Sequence, residues 1–209
     1  MRVLEIIINY LIITTVIFFF IKKYSLLPGY IKLVGYVLIL NFFVEGVAAI
    51  LLLNDENNLF LFHILNPVQF ILFSYYLKAI ISSKKARYII SYVIPLLVLV
   101  SLSISFTIQP FTEYNSYWLL IHNLLITIFV LYYFYEQSLE KAPENIYEKS
   151  ILLINIGLFI YSVGSLLISG FLNHLIKYNI KVALYVHYGA VVISYLTYLF
   201  FLFAFIKIK

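Results

Sequence analysis

The sequence predicts an all-α polytopic membrane protein with seven transmembrane helices, and three observations support this fold class. Of the 209 residues, 64% are hydrophobic and only 11% are charged, and the mean hydropathy is +1.03. Water-soluble domains of this length do not have such a composition. The apolar residues form seven blocks, each long enough to cross about 30 Å of hydrocarbon, without the alternation of a barrel strand. We therefore predict one transmembrane helical domain, residues 1–209.

The first four predicted helices follow the apolar blocks of the N-terminal half. The first block ends at Lys22 and Lys23 and is interpreted as a retained helix, because no small-residue cleavage site follows it. The second and third blocks are separated by a polar turn that begins at Asn54. In the fourth block, Pro95 lacks an N–H group and is expected to kink the helix. The predicted bounds are Val3–Ile21, Ile31–Leu53, Leu59–Lys78 and Tyr88–Phe106.

The last three predicted helices carry polar or small residues inside their apolar blocks. The fifth helix contains His122 and the seventh contains His187. The sixth contains Gly157 and Gly164, which allow a neighbouring helix to approach closely. The predicted bounds are Ser116–Tyr135, Lys149–Leu172 and Val182–Phe205.

The distribution of basic residues predicts the orientation of this bundle. Eleven of the 14 Lys and Arg residues fall on one side of the predicted membrane and three fall on the other. Because basic residues accumulate on the cytoplasmic side, we expect the N-terminus outside and the C-terminus inside. The expected location is the cell membrane, specifically a bacterial inner membrane, with the lipid bilayer as a partner. No basic cluster interleaved with exposed aromatic residues points to a nucleic-acid partner.

The segment from His63 to Gln69 places an imidazole, two carboxamides and a proline inside an apolar run. Polar groups at this depth are expected to face the protein interior or a wet cavity, so the segment marks a functional-site hypothesis. Pro67 frees the carbonyl of His63 from its helical hydrogen bond and is expected to bend the third helix. Gln69 falls outside the helical face that His63 and Asn66 share.

Polar side chains from five helices are predicted to lie at a similar depth. At about 1.5 Å per residue, these groups lie about 6–12 Å from the outer ends of their helices. Asn41 lies one helical turn before Glu45 and shares its face. The residues at this depth are Glu45, His63, Asn66, His122, Ser165 and His187.

Three imidazoles and a carboxylate form a donor set that suits a catalytic zinc ion with an open water position. In this hypothesis His63, His122 and His187 ligate the metal, and Glu45 accepts a proton from the metal-bound water. The polar groups of Asn41, Asn66 and Ser165 would then contact the ligand or substrate. The absence of cysteine excludes disulfides, thiolate metal sites and cysteine nucleophiles.

Other interpretations of the same residues remain open at the level of sequence. Buried polar side chains can simply join helices, and such contacts contribute about 0.6 kcal/mol each. They can also form a proton relay, or a pocket for a lipid or small organic molecule. The protein would then be a binding or sensory module that needs a separate signalling protein, a metal-dependent hydrolase acting on a lipid, or a transporter. The matched broken helices of many transporters are missing from the pattern.

Short motifs along most of the chain resemble a group of small seven-helix bacterial membrane proteins. The resemblance rests on Glu45, His63-Ile64-x-x-Pro67, Tyr133-Phe134-Tyr135, the two glycines of the sixth helix and His187. The group carries Glu at the position of His122, which implies an acidic or imidazole ligand there, but the resemblance implies no activity. The chain is also superficially similar to the seven-helix metal-dependent hydrolases related to ceramidases and adiponectin receptors. It lacks the paired histidines of their last helix.

Overall fold

The computed structural model describes residues 2–139 and 146–208, without the side chains of residues 2, 3, 146, 170–174, 176, 177 and 180. The described chain forms seven α-helices and a short 3₁₀ helix at Tyr24–Leu26. All seven α-helices are long and apolar enough to cross a membrane, which confirms the predicted all-α, multi-pass class. The helices are α1 Arg2–Lys23, α2 Gly29–Leu53, α3 Leu59–Ile80, α4 Lys84–Thr107, α5 Ser116–Leu139, α6 Ile146–Tyr178 and α7 Ile180–Lys207.

The fourth helix extends beyond its apolar block because polar residues cap its start. At the start of α4, the Ser83 hydroxyl accepts a hydrogen bond from the Ala86 amide over 3.3 Å. The carboxylate of Glu136, on α5, accepts hydrogen bonds from the backbone amides of Ser82 and Ser83 over 2.7 and 2.9 Å. A negative charge at a helix N-terminus is favourable, since it meets unpaired amides and the positive end of the helix dipole. The helix therefore begins at Lys84 rather than at the apolar Tyr88.

Six helices form a closed ring, with α4 packed on its outside. Around the ring, α1 contacts α2, α2 contacts α3, α3 contacts α5, α5 contacts α6, and α6 and α1 both contact α7. The outer helix, α4, packs mainly against α3. Consequently α1 and α7, which are far apart in sequence, become neighbours, and side chains from both ends of the chain can line one interior space.

The contact between α6 and α7 depends on the two glycines of α6. A methyl group at Gly164 would lie 2.4 Å from Cδ1 of Ile193, and one at Gly157 would lie 3.1 Å from the Phe201 ring. The hydroxyl of Thr197 also donates a hydrogen bond to the Gly157 carbonyl over 3.3 Å. Small residues at this interface let the helices approach closely, as the sequence predicted.

Two sequence predictions about the helices stay predictions. Pro67 lies inside α3, which is continuous from Leu59 to Ile80. The bend expected at this proline stays a prediction. The arrangement of the helices is also compatible with either orientation across a membrane.

Cysteine labelling tests the predicted orientation, and the natural chain provides no background because it lacks cysteine. Asn57 lies in the α2–α3 connection and Ser83 at the start of α4, so they are at opposite ends of α3. With the N-terminus outside, a membrane-impermeant thiol reagent applied to intact cells should label N57C and leave S83C unlabelled until the cells are opened. The reverse pattern would show that the N-terminus is inside.

Candidate functional site

Two adjoining cavities lie in the half of the bundle that contains the start of α1. One, of about 360 Å³, is lined mainly by α1 and α7, with Glu45 from α2, and the other, of about 230 Å³, extends among α2, α3, α6 and α7. We refer to the two together as the Glu45 cavity. Small-molecule sites have volumes of about 300–1,000 Å³, so the space suits a small ligand. The residues common to both parts are Glu45, Phe62, Tyr114, Ser194 and Tyr198.

Glu45 projects from α2 and is only partly satisfied by the protein. The side-chain amide of Asn9, on α1, donates a hydrogen bond to its Oε2 atom over 2.5 Å. Its other oxygen, Oε1, accepts no hydrogen bond from any described residue, and no described lysine or arginine forms an ion pair with it. A carboxylate in a membrane interior is costly unless it is paired or neutral. Glu45 can therefore accept a further partner from the cavity.

Carboxamide groups of α2 and α3 line the deeper part of the cavity. The side-chain amide of Gln69 donates a hydrogen bond to Oδ1 of Asn41, and Asn41 is also hydrogen-bonded to the Tyr198 side chain. Asn66 is only 5% exposed, yet its side chain makes no hydrogen bond to another described residue. Buried amides are normally paired. Asn66 therefore presents both a free donor and a free acceptor to a ligand.

One edge of the cavity is formed by a hydrogen-bonded pair of side chains from the first and last helices. Nε2 of His187 lies 2.9 Å from Oε1 of Glu5. The His187 side chain is 49% exposed, so this part of the cavity reaches the surface of the bundle. Since α1 and α7 begin at this end, the pair lies near the predicted outer surface of the membrane.

Tyrosine side chains form much of the remaining wall. Tyr161 lies on α6, where it is hydrogen-bonded to Ser165, while Tyr195 and Tyr198 lie on α7. Tyr114 lies between α4 and α5 and is hydrogen-bonded to Ser169. Burial raises the pKa of Tyr114, so its phenol stays protonated at neutral pH and can donate a hydrogen bond.

Toward the opposite end of the bundle lies a smaller pocket. This pocket of about 30 Å³ shares Asn41, Gln69 and Tyr198 with the Glu45 cavity. That volume is enough to hold a water molecule. Apolar side chains line its walls, including Leu38 and Phe73. The larger space thus lies near the start of α1, and a smaller pocket adjoins it near the middle of the bundle.

His63 was predicted as a metal ligand, but the structure gives both of its ring nitrogens other partners. Nδ1 lies 2.8 Å from the Ser105 hydroxyl, and Nε2 lies 3.0 Å from the Glu113 carbonyl. Because a carbonyl only accepts, Nε2 carries a proton, and in the neutral ring Nδ1 then accepts a hydrogen bond from the Ser105 hydroxyl. The ring also packs against Phe111. His63 therefore connects α3 to α4 and to the loop that follows α4.

His122 was also predicted as a metal ligand, and its surroundings are largely apolar. The ring is 1% exposed and packs against Phe70 and Trp118, with centroid distances of 5.5 and 6.1 Å. Neither ring nitrogen has a hydrogen-bond partner among the described residues. It lies in the packing between α3 and α5.

The structure thus does not bring the three histidines together. Of the predicted metal ligands, only His187 lines the same cavity as Glu45. No group of three His, Cys, Asp or Glu side chains within the described residues could hold a metal ion. The predicted zinc ligand set is not supported, because a shared depth does not make side chains on different faces converge. Asn41 and Asn66 do line the Glu45 cavity, and Ser165 contacts its wall through Tyr161.

Several residues of the cavity were missed at the level of sequence. Glu5 and Asn9 are spaced four residues apart on α1, which places both on one helical face and was a usable signal. Gln69 was assigned to a different face from His63 and Asn66. In the structure Gln69 lines the Glu45 cavity together with Asn66 and meets Asn41, whereas His63 contacts α4 and the loop that follows it. The tyrosines were interpreted as interfacial and packing residues. The chain has 20 of them, and the sequence does not distinguish the few that line a cavity from the rest.

No family model, curated protein or solved structure matches this chain in comparisons with known proteins. Function is therefore inferred from the residues of the site themselves.

Proposed function

We propose that this protein binds a small polar ligand in the Glu45 cavity, as a binding or sensory module of the cell membrane. The observation that supports this proposal is a pair of unsatisfied polar groups in the cavity, Oε1 of Glu45 and the carboxamide of Asn66. Both groups line the cavity and do not belong to the polar atoms sealed from solvent, so a ligand in the cavity can reach them. A ligand that pairs with both gains hydrogen bonds, and one to a charged group contributes about 1.5–3 kcal/mol.

The shape of the cavity favours binding over passage through the bundle. Its larger part adjoins the Glu5–His187 pair near one end, whereas the pocket that adjoins it toward the middle of the bundle has a volume of only about 30 Å³. We propose that a ligand enters and leaves at the end with the larger space. In the predicted orientation this end faces the outside of the cell. A metal-dependent hydrolase is not proposed, since the histidines lie apart.

The position of the cavity also suggests how binding could be transmitted. Its larger part is lined mainly by α1 and α7, and the His187–Glu5 pair joins these two helices. A ligand between these helices changes the relative stability of their possible separations. We propose a separate signalling protein in the same membrane as the partner that detects this change.

Cysteine accessibility tests whether the cavity is open to solution. Ser194 lines the cavity on α7, and Leu196 lies two residues further along the same helix with its side chain 42% exposed on the bundle surface. A hydrophilic thiol reagent applied to membranes from opened cells, where both faces are accessible, should label S194C. L196C should remain unlabelled, because a thiol that faces lipid does not ionise. Equal labelling of the two variants, or no labelling of S194C, would contradict a water-accessible site.

Ligand occupancy is tested with the same variant. A compound from a library of small polar molecules that raises the thermal stability of the purified protein should also slow the labelling of S194C. Labelling that continues at the original rate would place that compound outside the Glu45 cavity.

A further inference from the structure

The ionisable groups of the Glu45 cavity are mostly acidic. Glu5 and Glu45 contribute two carboxyl groups, and His187 is the only basic side chain among the described residues that line it. His187 is already engaged by Glu5, whereas Glu45 has no cationic partner. A cationic ligand is the complement of this arrangement, because it would pair with the Glu45 carboxylate in a medium of low dielectric constant.

The aromatic lining of the cavity further limits the chemical class of the ligand. Tyr195 and Tyr198 of α7, Tyr114 and Phe62 all line the same part of the cavity as Glu45. Aromatic faces attract cations, and they attract organic ammonium groups especially well because such groups are weakly hydrated. An inorganic metal ion would instead need several charged or imidazole ligands close together, and the described residues provide no group of three.

The free carboxamide of Asn66 supplies a second, independent indication. This side chain is 5% exposed, lines the cavity together with Glu45, and has no hydrogen-bond partner among the described residues. A carboxamide both donates and accepts, so it fits a hydroxyl or carbonyl group on the ligand. The site thus combines an anion and aromatic rings with a hydrogen-bonding group.

We propose that the ligand of the Glu45 cavity is a small organic ammonium compound that also carries a hydrogen-bonding group. Its ammonium group lies between the Glu45 carboxylate and the tyrosine rings of α7, and its polar group contacts Asn66. This inference rests on the proposed binding function and specifies its ligand class.

Choline and its neutral carbon isostere, in which carbon replaces the nitrogen, provide a matched pair of probes. They have the same shape and hydroxyl group and differ in charge. Binding to the purified protein is measured by calorimetry at constant pH, with tetramethylammonium as a smaller cation. We expect choline to bind at least about tenfold more tightly than the isostere. Equal affinities for the two, or no detectable binding of either cation up to millimolar concentrations, would overturn the ammonium assignment.

Variants assign the charge preference to specific side chains. E45Q keeps an oxygen that can accept from Asn9, and it should reduce choline affinity about tenfold while leaving affinity for the isostere unchanged. E56Q is the matched control, because Glu56 is exposed in the α2–α3 connection, and it should bind choline as the natural protein does. Y195F keeps an aromatic ring and should retain the preference for choline over its isostere. Y195L removes the ring and should lose most of that preference. Retention of the full preference in both E45Q and Y195L would place the cation elsewhere.

The S194C labelling and the choline measurements together distinguish a wrong ligand class from a wrong binding function. If S194C reacts with hydrophilic reagents but the protein does not prefer choline to its isostere, the cavity is open and only the ligand class is wrong. If S194C does not react, the binding function itself is contradicted.

Discussion

Replacing Gly35 with valine should lower the free energy of unfolding by about 3 kcal/mol, because the new side chain would enter space that the Phe20 ring fills. A methyl group at Gly35 would lie 2.1 Å from Cε2 of Phe20. Phe20 is 1% exposed and contacts the rings of Tyr36 and Phe205. Its displacement would therefore disturb the contact of α1 with both α2 and α7. Unfolding in detergent with increasing dodecyl sulfate, followed by the fluorescence of the single tryptophan, Trp118, measures the change.

Gly189 provides the matched control for this substitution. It lies within α7, and a methyl group there would meet no atom within 4 Å. The G189V variant should unfold within about 0.5 kcal/mol of the natural protein, as is usual for surface substitutions. Similar stabilities of G35V and G189V would show that Phe20 can move aside without cost.

Replacing His63 with leucine should also destabilise the protein, by about 1–3 kcal/mol. The substitution removes both hydrogen bonds of the ring and leaves the buried Ser105 hydroxyl without its partner. The effect remains moderate because interhelical hydrogen bonds in membranes contribute less than about 2 kcal/mol each. Detergent unfolding followed by circular dichroism is the suitable measurement, since it does not depend on Trp118.

Replacing His122 with leucine should instead raise the free energy of unfolding. Its two buried ring nitrogens have no partner among the described residues, so leucine removes unpaired polar atoms from an apolar environment. The H122L variant should gain about 1 kcal/mol of stability. A loss as large as that of H63L would instead show that His122 has a hydrogen-bonding partner, such as a buried water molecule.

The different surroundings of these two histidines show what sequence position alone does not specify. Both were predicted at a similar depth in the membrane and as ligands of one metal ion. In the structure His63 faces α4 and the following loop, whereas His122 faces Phe70 of α3. Residues at the same depth share a site only if their helices turn the same faces toward it.

The fold class could be predicted from the sequence because it follows from local properties of the chain. Seven apolar blocks of membrane-spanning length specify seven helices, since a backbone in hydrocarbon must satisfy its hydrogen bonds within the helix. The glycines of α6 similarly indicated a close helix contact. Helix ends were less well predicted, because capping groups such as Glu136 come from other parts of the chain.

The candidate site was predicted only in part. Glu45, Asn41 and Asn66 were identified as polar residues at membrane depth, and all three line the cavity. The contributions of Glu5, Asn9 and the tyrosines of α7 depend on the closure of the ring, which places the first helix beside the last. The sequence by itself determined which segments are long and apolar enough to cross a membrane and where along each of them the polar groups lie. Only the tertiary structure decided which groups meet, because the rotation and neighbours of each helix are set by side-chain packing among all seven.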